Sequence, residues 1–193
     1  MVDKTPHATE PFQVWENAFT PEELAAIEAY GDKQTLSKGS IIDSGTETAA
    51  YDGIRVTQIA AVTPNPDTSW LYDRVGRVLR ALNQQVYQFD ITGFSEPFQF
   101  MVYNGNEGGH FSWHVDNGRQ PAPRKLSATV QLTDGDAYEG CDLEFFGTHQ
   151  VEPAPRRKGA MVIFPSYVLH RVTPIRSGTR KALVIWSTGP RFR

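Results

Sequence analysis

The chain has 193 residues, 39% of them apolar and 21% charged, and a net charge of −3. That balance fits one soluble globular domain large enough to bury a core unaided, and it lies far from the low-hydrophobicity signature of disorder. A single cysteine, Cys141, excludes an internal disulfide framework and a cysteine-built zinc site. The longest uncharged apolar runs, such as 160–164 and 182–186, fall well short of the ~20 residues a membrane span needs, so no membrane partner is expected. The opening Met1-Val2-Asp3-Lys4-Thr5-Pro6 has no apolar secretory segment, and a cytoplasmic location is the expectation. The densest basic cluster is Arg156-Arg157-Lys158, too little to expect a nucleic-acid partner.

In chain order, residues 1–11 read as a flexible polar tail. Thr20-Pro21-Glu22-Glu23 then forms a capping box, with Thr20 as N-cap, Pro21 at the first helical position and Glu23 reaching back. Leu24, Ile27 and Ala29-Tyr30 supply the apolar stripe of this helix, and Gly31 is its expected stop. The Ser-, Thr- and Gly-rich stretch 37–53 reads as a long loop, a candidate flap over a site. Residues 55–60 alternate as one strand. A second helix begins near Thr68, its stripe running Leu71, Val75, Val78, Leu79, Leu82 and Val86.

After Phe89 only short apolar or alternating runs remain, at 98–103, 110–115, 126–132, 142–146, 160–164, 168–172 and 181–187, split by Gly, Pro, Asn and Asp. Such spacing predicts a mainly β sandwich or barrel with the two helices outside it.

The chemistry starts at His114-Val115-Asp116. On an extended strand residues i and i+2 share a face, so an imidazole and a carboxylate are presented side by side. His170, after the apolar run 160–164, is the natural third ligand. Two histidines and one carboxylate form the facial triad of non-haem Fe(II) oxygenases, which leaves coordination positions open. A zinc site in a cupin-like barrel competes for the same ligands, although the chain has no His-x-His. Thr173-Pro174 and Ser177-Gly178 read as turns, so Arg180 is expected to open the next strand beside His170. Arg180, Ala182, Val184 and Trp186 then share a face. A guanidinium entering a barrel interior calls for an anion there, whereas one pointing outward is simply solvated.

These residues, in their order, resemble the 2-oxoglutarate/Fe(II)-dependent dioxygenases of the prolyl 4-hydroxylase-like superfamily. The likeness is carried by Tyr103 and Gly105, by Gly109-His110-Phe111-Ser112-Trp113-His114-Val115-Asp116 and by Tyr138-Glu139-Gly140 before Leu143-Glu144-Phe145-Phe146. It continues through Gly159 to Pro165 and His170-Arg171-Val172-Thr173-Pro174 to Arg180. The helix-rich first half, with Trp70-Leu71-Tyr72 and the segment 89–93, is similar to the N-terminal support of the same enzymes.

The resemblance implies a double-stranded β-helix, or jelly roll, with 1–11 as tail, 12–90 as helical support and 91–193 as the core of a single domain. It implies Fe(II) held by His114, Asp116 and His170, with 2-oxoglutarate and O2 as cosubstrates and ascorbate as a further candidate cofactor. Arg180 would pair with the distal carboxylate of 2-oxoglutarate, Tyr103 would line that pocket, and Trp186 would stand on the substrate side. The Tyr103-to-His114 spacing is longer than in many members, and Gly140-Cys141 replaces a common Gly-Gly. Cys141 itself reads as buried and inert, without a sign of activation. His110 reads as a neighbour of the site, His149 as a surface turn residue and His7 as part of the tail. The segment 117–125 reads as a mobile loop that closes on substrate. The implied substrate is a prolyl residue of a peptide or protein. A free amino acid, another small metabolite and a non-enzymatic metal-binding jelly-roll module are the alternatives.

Overall fold

A computed structural model describes residues 10–43, 46–49, 53–116, 123–147 and 150–191. The first half carries β1 (Gln13–Trp15), α1 (Pro21–Asp32), β2 (Ser37–Lys38), β3 (Ser40–Asp43), β4 (Thr46–Ala49), β5 (Arg55–Val56), β6 (Gln58–Val62) and α2 (Ser69–Leu82). The second half adds β7 (Phe98–Asn104), β8 (His110–His114), β9 (Arg124–Gln131), β10 (Tyr138–Gly140), β11 (Leu143–Phe146) and β12 (Val151–Pro153). It ends with β13 (Met161–Pro165), β14 (His170–Val172) and β15 (Ile175–Thr188). The tail through residue 9, most of the 117–125 loop and His149 lie outside the described residues.

Two antiparallel sheets face each other, as expected of a mainly β jelly roll. The larger runs β1-β13-β9-β15-β7-β6-β2, with β10 added on β15, and the smaller runs β12-β11-β14-β8-β5. The period of two sorts each strand of the larger sheet into two cores. Leu126, Ala128 and Val130 of β9, Leu183 and Ile185 of β15, and Phe98 and Phe100 of β7 pack outward under α1 and α2. Met101, Tyr103, Val162, Phe164 and Trp186 point the other way, against Leu143, Phe145 and Val172 of the smaller sheet. The α2 stripe is buried at Leu71, Val75, Val78, Leu79 and Leu82, as its spacing predicts.

The capping box of α1 is present. Glu23 N–H donates to the Thr20 hydroxyl at 3.2 Å, and Thr20 N–H donates to Glu23 Oε2 at 2.8 Å. The expected stop at Gly31 does not occur, because the helix runs on to Asp32. Gly31 is buried, and a Cβ there would overlap the ring of Phe100; the glycine serves close packing against the sheet. The stretch 37–53 is not one long loop, since β2, β3 and β4 lie within it and β3 pairs with β4. The expected strand 55–60 is two strands. Arg55-Val56 pairs with β8 in the smaller sheet and β6 pairs with β7 in the larger, so the chain changes sheets at Thr57. That corner is fixed by the Thr57 hydroxyl donating to Val102 O at 3.1 Å and by Gly39 N–H donating to Thr57 O at 2.8 Å.

The Ser177-Gly178 turn is also corrected, because both residues lie inside β15. Gly178, at φ +78°, lets β10 approach where a Cβ would strike Ala137 O and Tyr138. Arg180 therefore sits within a long strand of the larger sheet, not at the start of a strand beside β14.

Replacing Gly31 by alanine sets two effects against each other. Helix propensity favours alanine by about 1 kcal/mol, while overpacking a rigid buried ring costs about 1–3 kcal/mol. With Phe100 wholly enclosed, the clash is expected to win, and Gly31→Ala should lower the urea midpoint at unchanged slope.

Candidate metal centre

β8 and β14 pair antiparallel with His170 opposite His114, and this register brings the two imidazoles together, ring centroids 4.2 Å apart. β8 ends at His114, so Asp116 lies just past the strand rather than on it. Its N–H donates to Ser166 O at 2.7 Å, which turns the carboxylate inward while Val115 faces solvent. Asp116 Oδ1 lies 3.7 Å from His114 Nε2, and Oδ2 lies 3.6 Å from His170 Nε2. One donor atom from each of the three residues falls within 4.8 Å of the others.

Each ring is oriented by the backbone carbonyl two residues before it. His114 Nδ1 is 2.8 Å from Ser112 O, and His170 Nδ1 is 2.9 Å from Val168 O. A carbonyl only accepts, so both Nδ1 atoms carry the proton and both Nε2 lone pairs are left for the centre. Phe111 stacks on His114 at 3.6 Å, and Phe164 meets His170 edge-on at 4.6 Å, which walls the imidazoles with apolar surface. Burial works against the Asp116 charge, but His170, His114, Arg124 and the Ser127 hydroxyl outweigh it and hold the carboxyl at about 2. Burial, then the neighbouring His170, pushes His114 down to about 4. Both groups are therefore deprotonated at neutral pH. Two imidazole Nε2 atoms and one carboxylate form a donor set that fits a divalent transition metal such as Fe(II).

Deeper in the same interior, Arg180 is 1% exposed. Its Nε and Nη2 both donate to Gln131 Oε1, at 3.1 and 2.9 Å, and its guanidinium stands 5.4 Å from the Tyr103 ring. Gln131 is held in that orientation by its amide donating to Pro155 O at 3.3 Å. Among the described residues no carboxylate pairs with Arg180, so a fully buried cation is matched only by neutral groups, a balance that an anion would improve. Burial opposes its charge; Cys141, Tyr103 and Tyr138 more than compensate and raise its pKa. Tyr103 is itself buried, its hydroxyl 3.8 Å from Met101 Sδ.

Trp186 lies on the inner face with its Nε1 buried and without a partner among the described residues. Arg124 stacks on it at 3.9 Å and is clamped by Glu96 through bonds of 2.8 and 2.6 Å. His110 is half-buried, its Nδ1 2.9 Å from Gly108 O, and it is not among the converging donors. Cys141 is fully buried, and burial raises its pKa.

Sequence reasoning missed Ser127, Gln131, Ser166, Arg124 and Arg55. Ser127 donates to Asp116 Oδ2 at 2.7 Å, and Ser166 lies 3.0 Å from Ser127. Arg55 is buried over Phe111, with Nη1 donating to Ser40 O at 2.7 Å. The available signal was the alternation Leu126-Ser127-Ala128-Thr129-Val130-Gln131, which puts every polar residue on one face of a buried strand.

Residues 98–188 match the profile of the 2OG-Fe(II) oxygenase superfamily. A PKHD-type hydroxylase from Teredinibacter turnerae is 32% identical over 151 residues, which cover 67% of this chain and 62% of that protein, so the chain spans less than two thirds of its length. The crystal structure of a Pseudomonas putida prolyl-4-hydroxylase superposes with a TM-score of 0.73 at 22% identity, covering 95% of both chains. A Trichoplax adhaerens prolyl hydroxylase, solved in complex with a peptide fragment of a hypoxia-inducible factor oxygen degradation domain, gives 0.76 at 18% identity, covering 94% of this chain and 84% of that one. At these identities the two structures establish the shared fold.

The depressed His114 value carries a stability consequence. Between its unfolded value of 6.5 and its folded value of about 4, the unfolded chain binds more protons than the native one. The metal-free protein should therefore hold this contribution above pH 6.5 and lose on the order of 3 kcal/mol as pH falls through 4. Urea unfolding at pH 7 and pH 4.5 should show a smaller acid loss in His114→Leu than in the parent chain.

Proposed function

We infer that this chain, whose residues 98–188 match the 2OG-Fe(II) oxygenase superfamily, is an Fe(II)- and 2-oxoglutarate-dependent hydroxylase. The observation that carries the reading is the convergence of His114, Asp116 and His170, with a buried guanidinium on the inner face of the larger sheet that has no carboxylate partner among the described residues. In this reading His114 Nε2, Asp116 and His170 Nε2 hold Fe(II), and Arg180 receives the distal carboxylate of 2-oxoglutarate. When bound, iron and cosubstrate with O2 supply the oxidising chemistry, 2-oxoglutarate going to succinate and carbon dioxide as one oxygen atom enters a substrate C–H bond.

The protein's own part is positioning and exclusion of water. Backbone carbonyls fix both imidazole tautomers, and Asp116 contributes one negative charge. Gln131 accepts from Nε and Nη2 along one edge of the Arg180 guanidinium, and Cys141 bonds the same group, so the cation is held in place for the incoming anion. Tyr103 walls the cosubstrate end, while Trp186, stacked under Arg124, walls the substrate side. Phe111, Phe145 and Phe164 keep the imidazoles in apolar surroundings, where charged pairing is strongest.

The substrate in this proposal is a prolyl residue of a peptide or protein. The likeness to two prolyl hydroxylases supports it, as does the apolar rim beside the ligands: Val115 and Leu169, next to Asp116 and His170, are 40% and 39% exposed, and Phe146 is 57% exposed.

The purified chain, given Fe(II), ascorbate and 2-oxoglutarate, should form succinate, and Asp116→Ala should abolish this with an unchanged circular dichroism spectrum. Succinate formation retained in Asp116→Ala would sink the metal assignment. Arg180→Met, which keeps the volume and removes the charge, should raise the half-saturating 2-oxoglutarate concentration at least tenfold, in line with the roughly 2–5 kcal/mol cost of breaking a buried charged pair. A peptide library screened for a one-oxygen mass gain should yield proline-containing hits; gains confined to free amino acids would move the substrate class.

A further inference from the structure

Asp116 is held through both its main chain and its side chain. Its N–H is tied to Ser166 O at 2.7 Å, and its Oδ2 accepts from the Ser127 hydroxyl at 2.7 Å. Ser127 lies on the inner face of β9, opposite Phe164 of β13 on one side and Trp186 of β15 on the other, with no solvent exposure. Its oxygen is 3.0 Å from the Ser166 hydroxyl, which is 1% exposed.

The direction of that second bond follows from chemistry. An ionised carboxylate only accepts, so the one proton of Ser127 goes to Asp116, and Ser166 must donate to Ser127. The result is a one-way relay from Ser166 through Ser127 to Oδ2, each bond polarising the next. Asp116 Oδ1 accepts no hydrogen bond from the described residues and faces His114 Nε2 at 3.7 Å, whereas Oδ2, 3.6 Å from His170 Nε2, is the oxygen that carries the Ser127 bond.

We propose that Ser127, oriented by Ser166, is a positioning residue that commits Asp116 to ligating metal through Oδ1 alone. Oδ2 is engaged by the relay, so the carboxylate is kept from closing on the metal with both oxygens and taking a position that cosubstrate needs. The proposal rests on the reading of His114, Asp116 and His170 as the metal ligands. It adds a role for two hydroxyls that touch neither the donor atoms of the imidazoles nor the anion pocket.

Titration of the metal-free protein with Co(II), followed by visible ligand-field absorption, tests it. Ser127→Ala should weaken Co(II) binding roughly 10- to 100-fold, the usual cost of losing an outer-shell partner of a metal ligand. It should also change the band shape at saturation as the carboxylate alters its mode of ligation. A loss of general packing would lower affinity without changing the saturated band. Ser166→Ala should have a smaller effect in the same direction, and the double variant should bind no more weakly than Ser127→Ala, because Ser166 acts only through Ser127.

Unchanged affinity and spectrum in a folded Ser127→Ala, or penalties that add in full, would overturn the relay. If Ser127→Ala does not fold, Ser166→Ala decides: a spectrum and affinity equal to the parent's would refute the role. Absence of stoichiometric Co(II) binding by the parent chain would instead remove the metal-centre reading, and the relay with it.

Discussion

The antiparallel pairing of β14 with β8, His170 opposite His114, is the constraint from which the remaining geometry follows. Side chains alternate across a strand, so a slip of one residue would carry His170 to the opposite face and leave Asp116 facing a single imidazole. Neither strand is long enough to fix this register by its own ladder. The neighbours do so: β11 pairs Phe145 with His170, β5 pairs Arg55 with Phe111, and Phe111 lies flat on His114. The smaller sheet thus behaves as a clamp whose purpose is the placement of two rings, and Asp116 reaches them from just beyond its edge.

The larger sheet has a different burden. Its outer face is apolar and covered by α1 and α2, while its inner face carries Ser127, Thr129, Gln131 and Arg180, all buried. Interior polar groups cost stability unless each is paired. Here the pairing is incomplete among the described residues: Arg180 has a glutamine in place of an anion, and Trp186 Nε1 has no acceptor. The helix-covered core offsets that cost, which explains why the more apolar cluster lies on the side away from the chemistry. The fold separates one layer that stabilises from another that binds.

Much of this was legible from the residues alone. The capping box at Thr20, the α2 stripe and the short alternating runs after Phe89 gave the helices and the mainly β architecture, and His-x-Asp with His170 named the three groups that converge. The failures share a cause, which is that local pattern does not report which neighbour a residue meets. Gly31 looked like a stop and is a contact surface for Phe100; Gly178 looked like a turn and is a point of close strand approach. Thr57, inside an apparently continuous strand, is where the chain leaves one sheet for the other. Ser127 and Gln131 were absorbed into an apolar run because alanine, valine and leucine around them dominate the pattern, although their spacing of four already placed them on one face.

Cys141 brings one more consequence. It is the chain's sole thiol, wholly enclosed, in a left-handed backbone conformation at φ +56°, close enough to Arg180 for the two groups to shift each other's titration. A sulfur so placed is shielded from alkylating reagents until the wall around the guanidinium separates. The molecule consequently contains an internal gauge of breathing in its interior: the rate at which a small electrophile labels that atom measures how often the interior opens, without any engineered cysteine.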